Sequence, residues 1–131
     1  PLILSSEKTL HAQVDDVPIK GKVDRIDLFE PNGRKCRVLD YKTGRTSRTE
    51  DAVRKKDGLF RQLVFYKILC DSSPNFIHEA TLFSLDFIGN AEETRREINI
   101  EITQEEVREL QDLIRVVWDK ITSLDFTPVE E

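Results

Sequence analysis

The turn sequence EPNGR at residues 30–34 constrains the fold more than any other part of the chain. Proline, asparagine and glycine favour turns, and an Asn-Gly pair between two apolar stretches is a strong hairpin signal. The flanking stretches, residues 18–29 and 35–42, carry the β-branched and aliphatic residues that are common in strands. We therefore predict an antiparallel hairpin folded about Asn32, with the Asn-Gly pair at the centre of its turn.

This hairpin would place two acidic residues side by side. Folding about Asn32 sets Asp24 opposite Asp40, and cross-strand neighbours stand ~5 Å apart. Like charges at that distance repel, but a divalent cation such as Mg²⁺ requires hard oxygen ligands at short range. The main-chain carbonyl of Tyr41 could add a third oxygen. Side chains alternate along a strand, so Lys42 shares the face of Asp40 and could meet a phosphate bound to the ion.

A simpler interpretation of the same residues has to be kept. An Asp-x-Lys sequence on a strand is usually an exposed ion pair that contributes little to stability. A shift of the hairpin register by one residue would also move Asp24 to the other side of the sheet.

The rest of the sequence predicts a mixed α/β (α+β) domain that spans residues 1–131 as a single unit, with a central sheet flanked by helices. Further strands are expected at 9–16, 77–88 and 96–102, with a break near Pro18 and a polar loop at 45–57. One helix should run from Asp57, as its N-cap, to about Cys70. Thr103 and Glu106 form a capping box that begins a second helix. The apolar residues of that helix recur at helical spacing: Val107, Leu110, Leu113, Ile114, Val117 and Ile121.

Composition is that of a globular protein with 34% charged and 38% hydrophobic residues, and no apolar run is long enough to span a membrane. We expect a cytoplasmic protein whose two cysteines, Cys36 and Cys70, stay reduced. The net charge is −5, yet residues 42–61 hold seven bases against three acids. That basic stretch suits a phosphate-binding site, and a solvated charged loop is the alternative.

Three blocks, taken in order, resemble the signature blocks of RecB-like nucleases of the PD-(D/E)xK superfamily. They are GKVDRID at 21–27, VLDYKTG at 38–44 and QLVFY at 62–66, within a resemblance that covers about residues 7–70. The resemblance implies a restriction-endonuclease-like core and Mg²⁺- or Mn²⁺-dependent hydrolysis of DNA. It also implies a helicase domain as partner, in DNA repair and recombination in the bacterial cytoplasm or nucleoid, as in helicase-associated exonucleases.

The resemblance also assigns roles to individual residues. Asp24 and Asp40 match metal ligands, and Lys42 matches the catalytic lysine, acting either as general base or as electrostatic stabiliser. Gln62 and Tyr66 match a glutamine and a tyrosine that face the site, and they lie one helical turn apart. Gln62 would then position either the lysine or the phosphate. For Tyr66 an ordinary core role fits as well as a functional one.

Other positions carry weaker assignments. Glu7 could match a further acidic position, and Arg45 and Arg48 could hold the DNA backbone. His11 and His78 fall in strand-like stretches, where we expect structural roles.

Two features of the family have no counterpart in this sequence. Many relatives place a histidine or an acid on a helix before the first strand, and some bind an iron–sulphur cluster through four cysteines. Because the sequence opens directly on a strand pattern, we expect it to be a C-terminal fragment of a larger protein, or to have a simpler site. The competing hypotheses are a catalytically inactive nuclease fold used for DNA binding or protein docking, and a plain interaction domain.

Overall fold

A computed structural model describes residues 2–43, 53–54, 58–88 and 95–123 of the chain. It confirms a mixed α+β fold built on one five-stranded sheet. The strands lie in chain order, and only the β3–β4 pair is parallel. The elements are β1 Leu2–Val14, β2 Val17–Leu28, β3 Lys35–Thr43, α1 Leu59–Ser72, β4 Glu79–Ile88, β5 Arg95–Ile100 and α2 Gln104–Ser123.

The β2–β3 hairpin has the register that the turn sequence predicts. Arg25 pairs with Leu39, and the pairing continues in step to Leu28 and Cys36. The position of the turn residues differs from the prediction. Because the N–H of Gly33 bonds the carbonyl of Glu30 at 3.1 Å, the central turn positions are 31 and 32, a Pro-Asn pair instead of Asn-Gly.

The first strand is longer than predicted and breaks elsewhere. β1 begins at Leu2, where it pairs with Leu28, although residues 2–8 show no alternating pattern. Its residues 3, 4 and 6–9 are exposed on both sides of the sheet, so burial imposes no pattern on them. The break is a turn at residues 15–16, where Asp15 has a φ of 55°, and Pro18 lies within β2 opposite Gln13.

The start of α1 corrects another prediction. Its N-cap is Gly58, with a φ of 95°, rather than Asp57, which lies outside the described residues. A φ in this range strains residues that have a Cβ, which explains the glycine at this position. Upstream, residues 53 and 54 are helical, whereas we predicted a loop, and Val53 is fully buried in the core. A single apolar residue gives no periodicity to detect.

Both helices lie on one side of the sheet. Helix α1 packs on β1, β2 and β4, and α2 packs on α1 and reaches β1 and β2. The core between α1 and the sheet includes Val38, Cys36, Leu63 and Leu69. We call this side the helix face. Because side chains alternate along β2 and β3, Arg25, Asp27 and Arg37 lie on the opposite side, the rear face.

The predicted capping box begins α2. The N–H of Thr103 bonds the Glu106 carboxylate at 2.9 Å, and the N–H of Glu106 bonds the Thr103 hydroxyl at 3.1 Å. Glu106 also accepts a bond from Arg54 at 2.7 Å. Of the six apolar residues at helical spacing, Val107 and Leu110 are buried and Ile114 is partly buried, whereas the others are exposed: Leu113, Val117 and Ile121.

The last two predicted strands are confirmed with small shifts at their ends. β4 starts at Glu79 instead of residue 77, and β5 spans Arg95–Ile100 instead of 96–102. Ile102 still packs against the core from the connection to α2. In the described part of the chain, no helix has the length and apolar character required to cross a membrane.

The capping box gives the first testable prediction. Thr103→Ala removes the hydroxyl that accepts the Glu106 N–H, so we expect the free energy of unfolding to fall by about 1 kcal/mol. The matched control is Thr122→Ala in the last turn of α2, because that hydroxyl bonds the carbonyls of Trp118 and Asp119 in an exposed position. Urea denaturation should show a loss for Thr103→Ala and a change within roughly 0.5 kcal/mol for Thr122→Ala. Equal values for the two variants would contradict the capping role.

Candidate active site

Two aspartates meet where β2 and β3 begin to separate. Main-chain pairing of the two strands ends at Arg25 and Leu39, and the same register carried on by one residue sets Asp24 opposite Asp40. Beyond this pair, the contact between the strands is made by a side chain: Oδ2 of Asp24 accepts a hydrogen bond from the N–H of Tyr41 at 2.8 Å. The two carboxyl groups are close enough to interact directly. The cross-strand acidic pair predicted from the sequence is therefore present.

Lys42 lies on the same face as Asp40, as the alternation of side chains predicts. Its Nζ is 2.9 Å from Oδ2 of Asp40, whose side chain is 6% exposed. The ammonium of Lys42 therefore neutralises part of the charge on Asp40. Among the described residues, Oδ2 of Asp40 is the one buried side-chain oxygen or nitrogen without a hydrogen-bond partner. Such an oxygen is costly to bury unless a cation approaches it.

Helix α1 fixes the other oxygen of Asp40. The Tyr66 hydroxyl donates to Oδ1 of Asp40 at 3.1 Å, and the amide of Gln62 donates to that hydroxyl at 3.0 Å. Tyr66 is 5% exposed, so it is both a core residue and a partner of the acidic pair. The sequence left the partner of Gln62 open between a lysine and a phosphate. In the structure the amide bonds Tyr66 instead, because both side chains lie on one face of α1.

Burial dominates the electrostatics of this cluster. The pKa of Asp40 is raised, first by burial and then by the charge of Asp24, while the ammonium of Lys42 lowers it. The pKa of Tyr66 is also raised, first by burial and then by the negative charge of Asp40. Tyr66 therefore stays protonated and keeps its proton for the bond to Asp40. Perturbed groups of this kind are more common at functional sites than elsewhere.

The donor set fits a divalent cation of the Mg²⁺ type. Mg²⁺ is commonly held by one or two carboxylates, with waters and substrate phosphates in its other positions. Asp24 and Asp40 supply two carboxylates on adjacent strands, and Oδ2 of Asp40 accepts no hydrogen bond and is paired with the Lys42 ammonium. Within the described ranges no three His, Cys, Asp or Glu side chains cluster as metal ligands. The main-chain carbonyl of Tyr41 remains the candidate for a third protein oxygen.

The rear face holds a charged network that the sequence analysis missed. Arg25 donates a bidentate pair of hydrogen bonds to Asp27, at 2.7 and 3.0 Å, and Arg37 donates to the same carboxylate at 3.0 Å. Arg37 also contacts Glu97 on β5. Arg25 then reaches the hydroxyl of Tyr41 at 3.3 Å. The sequence signal was the alternation in DRID, which places Arg25 and Asp27 together on the side opposite Asp24.

Glu7, another predicted site residue, does not join this cluster. Glu7 lies on β1 beside Asp24 in the β1–β2 register, but its exposed carboxylate pairs with Lys22 at 3.1 Å. Its φ of 50° marks an irregularity in the edge strand that the sequence did not indicate. Arg45 and Arg48 fall outside the described residues.

The histidines and cysteines lie away from the acidic pair. His11 is exposed on β1, and His78 lies before β4 against the ring of Phe76, at 5.9 Å between ring centroids. Cys36 and Cys70 are buried free thiols, and burial raises the pKa of Cys36 to about 12. A thiol with such a pKa remains protonated and unreactive at neutral pH.

The sequence model of the PD-(D/E)XK nuclease superfamily matches residues 3–131. The chain belongs to this superfamily. The sequence within this match includes a D-x-K stretch, Asp40-Tyr41-Lys42, and its assignment with Asp24 to the superfamily pattern stays a prediction. The predicted resemblance to nucleases of this kind is therefore confirmed at the level of the family.

One curated relative is a helicase-associated nuclease. The chain is 37% identical over 62 residues to a subunit of the ATP-dependent helicase/deoxyribonuclease of Carboxydothermus hydrogenoformans. The match covers 47% of this chain but 6% of that protein, so the PD-(D/E)XK chain corresponds to a small part of a much longer polypeptide.

Solved structures show the same fold. The crystal structure of SSO0001 aligns with a TM-score of 0.56 at 20% identity, over 93% of this chain and 52% of that one. A protein of Eubacterium rectale, named as a candidate exonuclease, aligns with a TM-score of 0.56 at 12% identity, over 90% and 44% of the two chains. At these identities the likeness concerns the PD-(D/E)XK fold alone.

Asp40 and Asp27, two of the buried aspartates, should respond in opposite ways to loss of charge. Asp40 has a raised pKa, so its ionised form costs stability as pH rises through that pKa. In metal-free protein at pH 8 we expect Asp40→Asn to raise the free energy of unfolding by roughly 0.5–2 kcal/mol. The gain should shrink as the pH falls towards the unfolded-state pKa of ~3.9.

Asp27→Asn is the matched control on the rear face. Burial raises the pKa of Asp27, but its bonds from Arg25 and Arg37 outweigh burial and lower it. The ionised Asp27 carboxylate stabilises the fold fully above the unfolded-state pKa of ~3.9. This stabilisation is lost as pH falls through the lower pKa of the folded state. We expect Asp27→Asn to cost about 3 kcal/mol at pH 8, because two arginines lose a buried partner. Urea denaturation between pH 4 and 8 measures the free energy of unfolding of both variants. If Asp40→Asn lowered it by as much as Asp27→Asn does, this account would be contradicted.

Proposed function

We propose that this chain is a metal-dependent deoxyribonuclease module that hydrolyses DNA phosphodiester bonds. The observation that carries the proposal is the contact between the Asp24 and Asp40 carboxyl groups on adjacent strands, beside Lys42, whose Nζ is 2.9 Å from the buried Oδ2 of Asp40. Membership of the PD-(D/E)XK superfamily supports hydrolysis of nucleic acid as the reaction class.

Each residue of the site would have a separate role in binding the metal ion or the phosphate. Asp24, Asp40 and the main-chain carbonyl of Tyr41 would hold Mg²⁺ or Mn²⁺, which when bound polarises the scissile phosphate and activates a water. Lys42 would meet the phosphate beside Asp40, orient the attacking water and neutralise the charge that develops on phosphorus oxygens. Tyr66 would keep Oδ1 of Asp40 fixed, so that Oδ2 stays directed towards the cation.

Gln62 would act one step further from the reaction. Its amide donates to the Tyr66 hydroxyl, so that hydroxyl directs its own proton to Asp40. This arrangement limits rotation of both side chains, and orientation by such outer partners is a common requirement of metal-binding carboxylates.

The wider setting of the module is also a proposal. The relative from Carboxydothermus hydrogenoformans supports attachment to a helicase in the same polypeptide or complex. We extend the proposal to a role in DNA repair and recombination. Arg45 and Arg48, in the basic stretch that follows β3, would bind the phosphates of the DNA strand. We place the protein in the bacterial cytoplasm or nucleoid, where this substrate is found.

Cleavage assays on the intact protein test the proposal. With single- and double-stranded DNA and Mg²⁺, we expect Lys42→Ala to lower kcat by about 10²–10³, the cost typical of losing one preorganised electrostatic group. Asp40→Ala should remove metal-dependent cleavage, and so should a chelator.

The controls are Asp119→Ala and Lys120→Ala, which remove exposed charges from α2 and should retain wild-type rates. Equal activity in wild type, Asp40→Ala and Lys42→Ala would overturn the proposal. Absence of cleavage in all of them, with DNA affinity retained, would favour the catalytically inactive binding module instead.

A further inference from the structure

The acidic pair is supported from behind as well as from α1. On the rear face, directly behind the pair, Arg25 lies next to Asp24 in sequence and Tyr41 lies between Asp40 and Lys42. The Arg25 guanidinium donates to the Tyr41 hydroxyl at 3.3 Å. This contact joins β2 to β3 one step beyond the last main-chain pair, Arg25 with Leu39.

Tyr41 is therefore held from both faces of the sheet. Its main-chain N–H is bonded to Asp24 at 2.8 Å, while its hydroxyl is bonded to Arg25 at 3.3 Å. Two like-charged carboxylates at the end of the paired region push the strands apart, and the contacts at Tyr41 oppose that separation. We call the Arg25–Tyr41 contact the rear clasp.

Arg25 is itself rigidly placed. Two nitrogens of its guanidinium donate to the buried carboxylate of Asp27, at 2.7 and 3.0 Å. This bidentate geometry is one that only arginine provides. Asp27 is 3% exposed and is held from its other side by Arg37. A donor fixed in this way can position a partner with little loss of side-chain entropy.

We propose that Arg25 is a positioning residue that, through Tyr41, keeps Asp24 and Asp40 at the separation that a divalent cation requires. The effect on metal binding rests on the proposed function, whereas the positioning of the two strands rests on the rear clasp. Metal-binding groups must be held to within about 0.5 Å, and the β2–β3 pairing alone ends before it reaches them.

The closing experiment compares three variants of the full chain. Tyr41→Phe removes only the hydroxyl of the clasp, and Arg25→Lys keeps the charge but loses the fork. The matched control is Arg37→Lys, which also weakens a bond to Asp27 but does not contact Tyr41. Near-ultraviolet circular dichroism and thermal melts establish that each variant is folded.

Two readouts separate positioning from general destabilisation. Calorimetric titration with Mn²⁺ should show affinity lowered about tenfold in Tyr41→Phe and Arg25→Lys, as is typical for loss of an outer partner, and near wild type in Arg37→Lys. Hydrogen exchange in metal-free protein should show the Tyr41 amide exchanging faster in the first two variants than in the control.

Each outcome decides the matter. Unchanged Tyr41 exchange or unchanged Mn²⁺ affinity in Tyr41→Phe and Arg25→Lys overturns the inference and leaves the proposed function intact. An equal loss in Arg37→Lys overturns it in favour of a general effect of the charged network. Wild-type protein that binds no Mn²⁺ overturns the proposed function, and the metal-positioning role falls with it.

Discussion

The repulsion between Asp24 and Asp40 is the constraint on which the rest of this structure depends. Two carboxylates on adjacent strands are unfavourable unless a cation lies between them, and here one of them is buried as well. The surrounding structure is arranged to hold that pair in place: Tyr66 binds one oxygen of Asp40, Lys42 neutralises part of its charge, and the N–H of Tyr41 fixes Asp24. A fold selected for stability alone would place an apolar or neutral pair at these positions.

Stability comes from the parts of the domain around the site. The core between α1 and the sheet, the capping box of α2 and the charged network on the rear face are all favourable, well-paired arrangements. Arg54 adds a further link, since it bonds Glu106 in the capping box and lies 4.6 Å from the Phe60 ring at the start of α1. The chain thus concentrates its unfavourable electrostatics in one place and surrounds that place with favourable contacts.

The sequence predicts the parts of this arrangement that follow from residues close together in the chain or from a symmetric hairpin. The hairpin register was predictable because the pairing is symmetric about Asn32, whichever residues occupy the turn. The capping box was predictable because its two residues are three apart. The residual errors involve contacts between residues far apart in the sequence: Val53 is buried by distant residues, and Arg25 binds across the sheet to Tyr41.

The central claim is that Asp24 and Asp40 together form a site for one divalent cation. Anomalous diffraction from crystals soaked in Mn²⁺ tests it most directly. We expect an anomalous peak between the two aspartates, within about 2.0–2.6 Å of a carboxylate oxygen from each. Carboxylates that point to opposite sides of the sheet, or Mn²⁺ that binds elsewhere and leaves this pair apart, would contradict it.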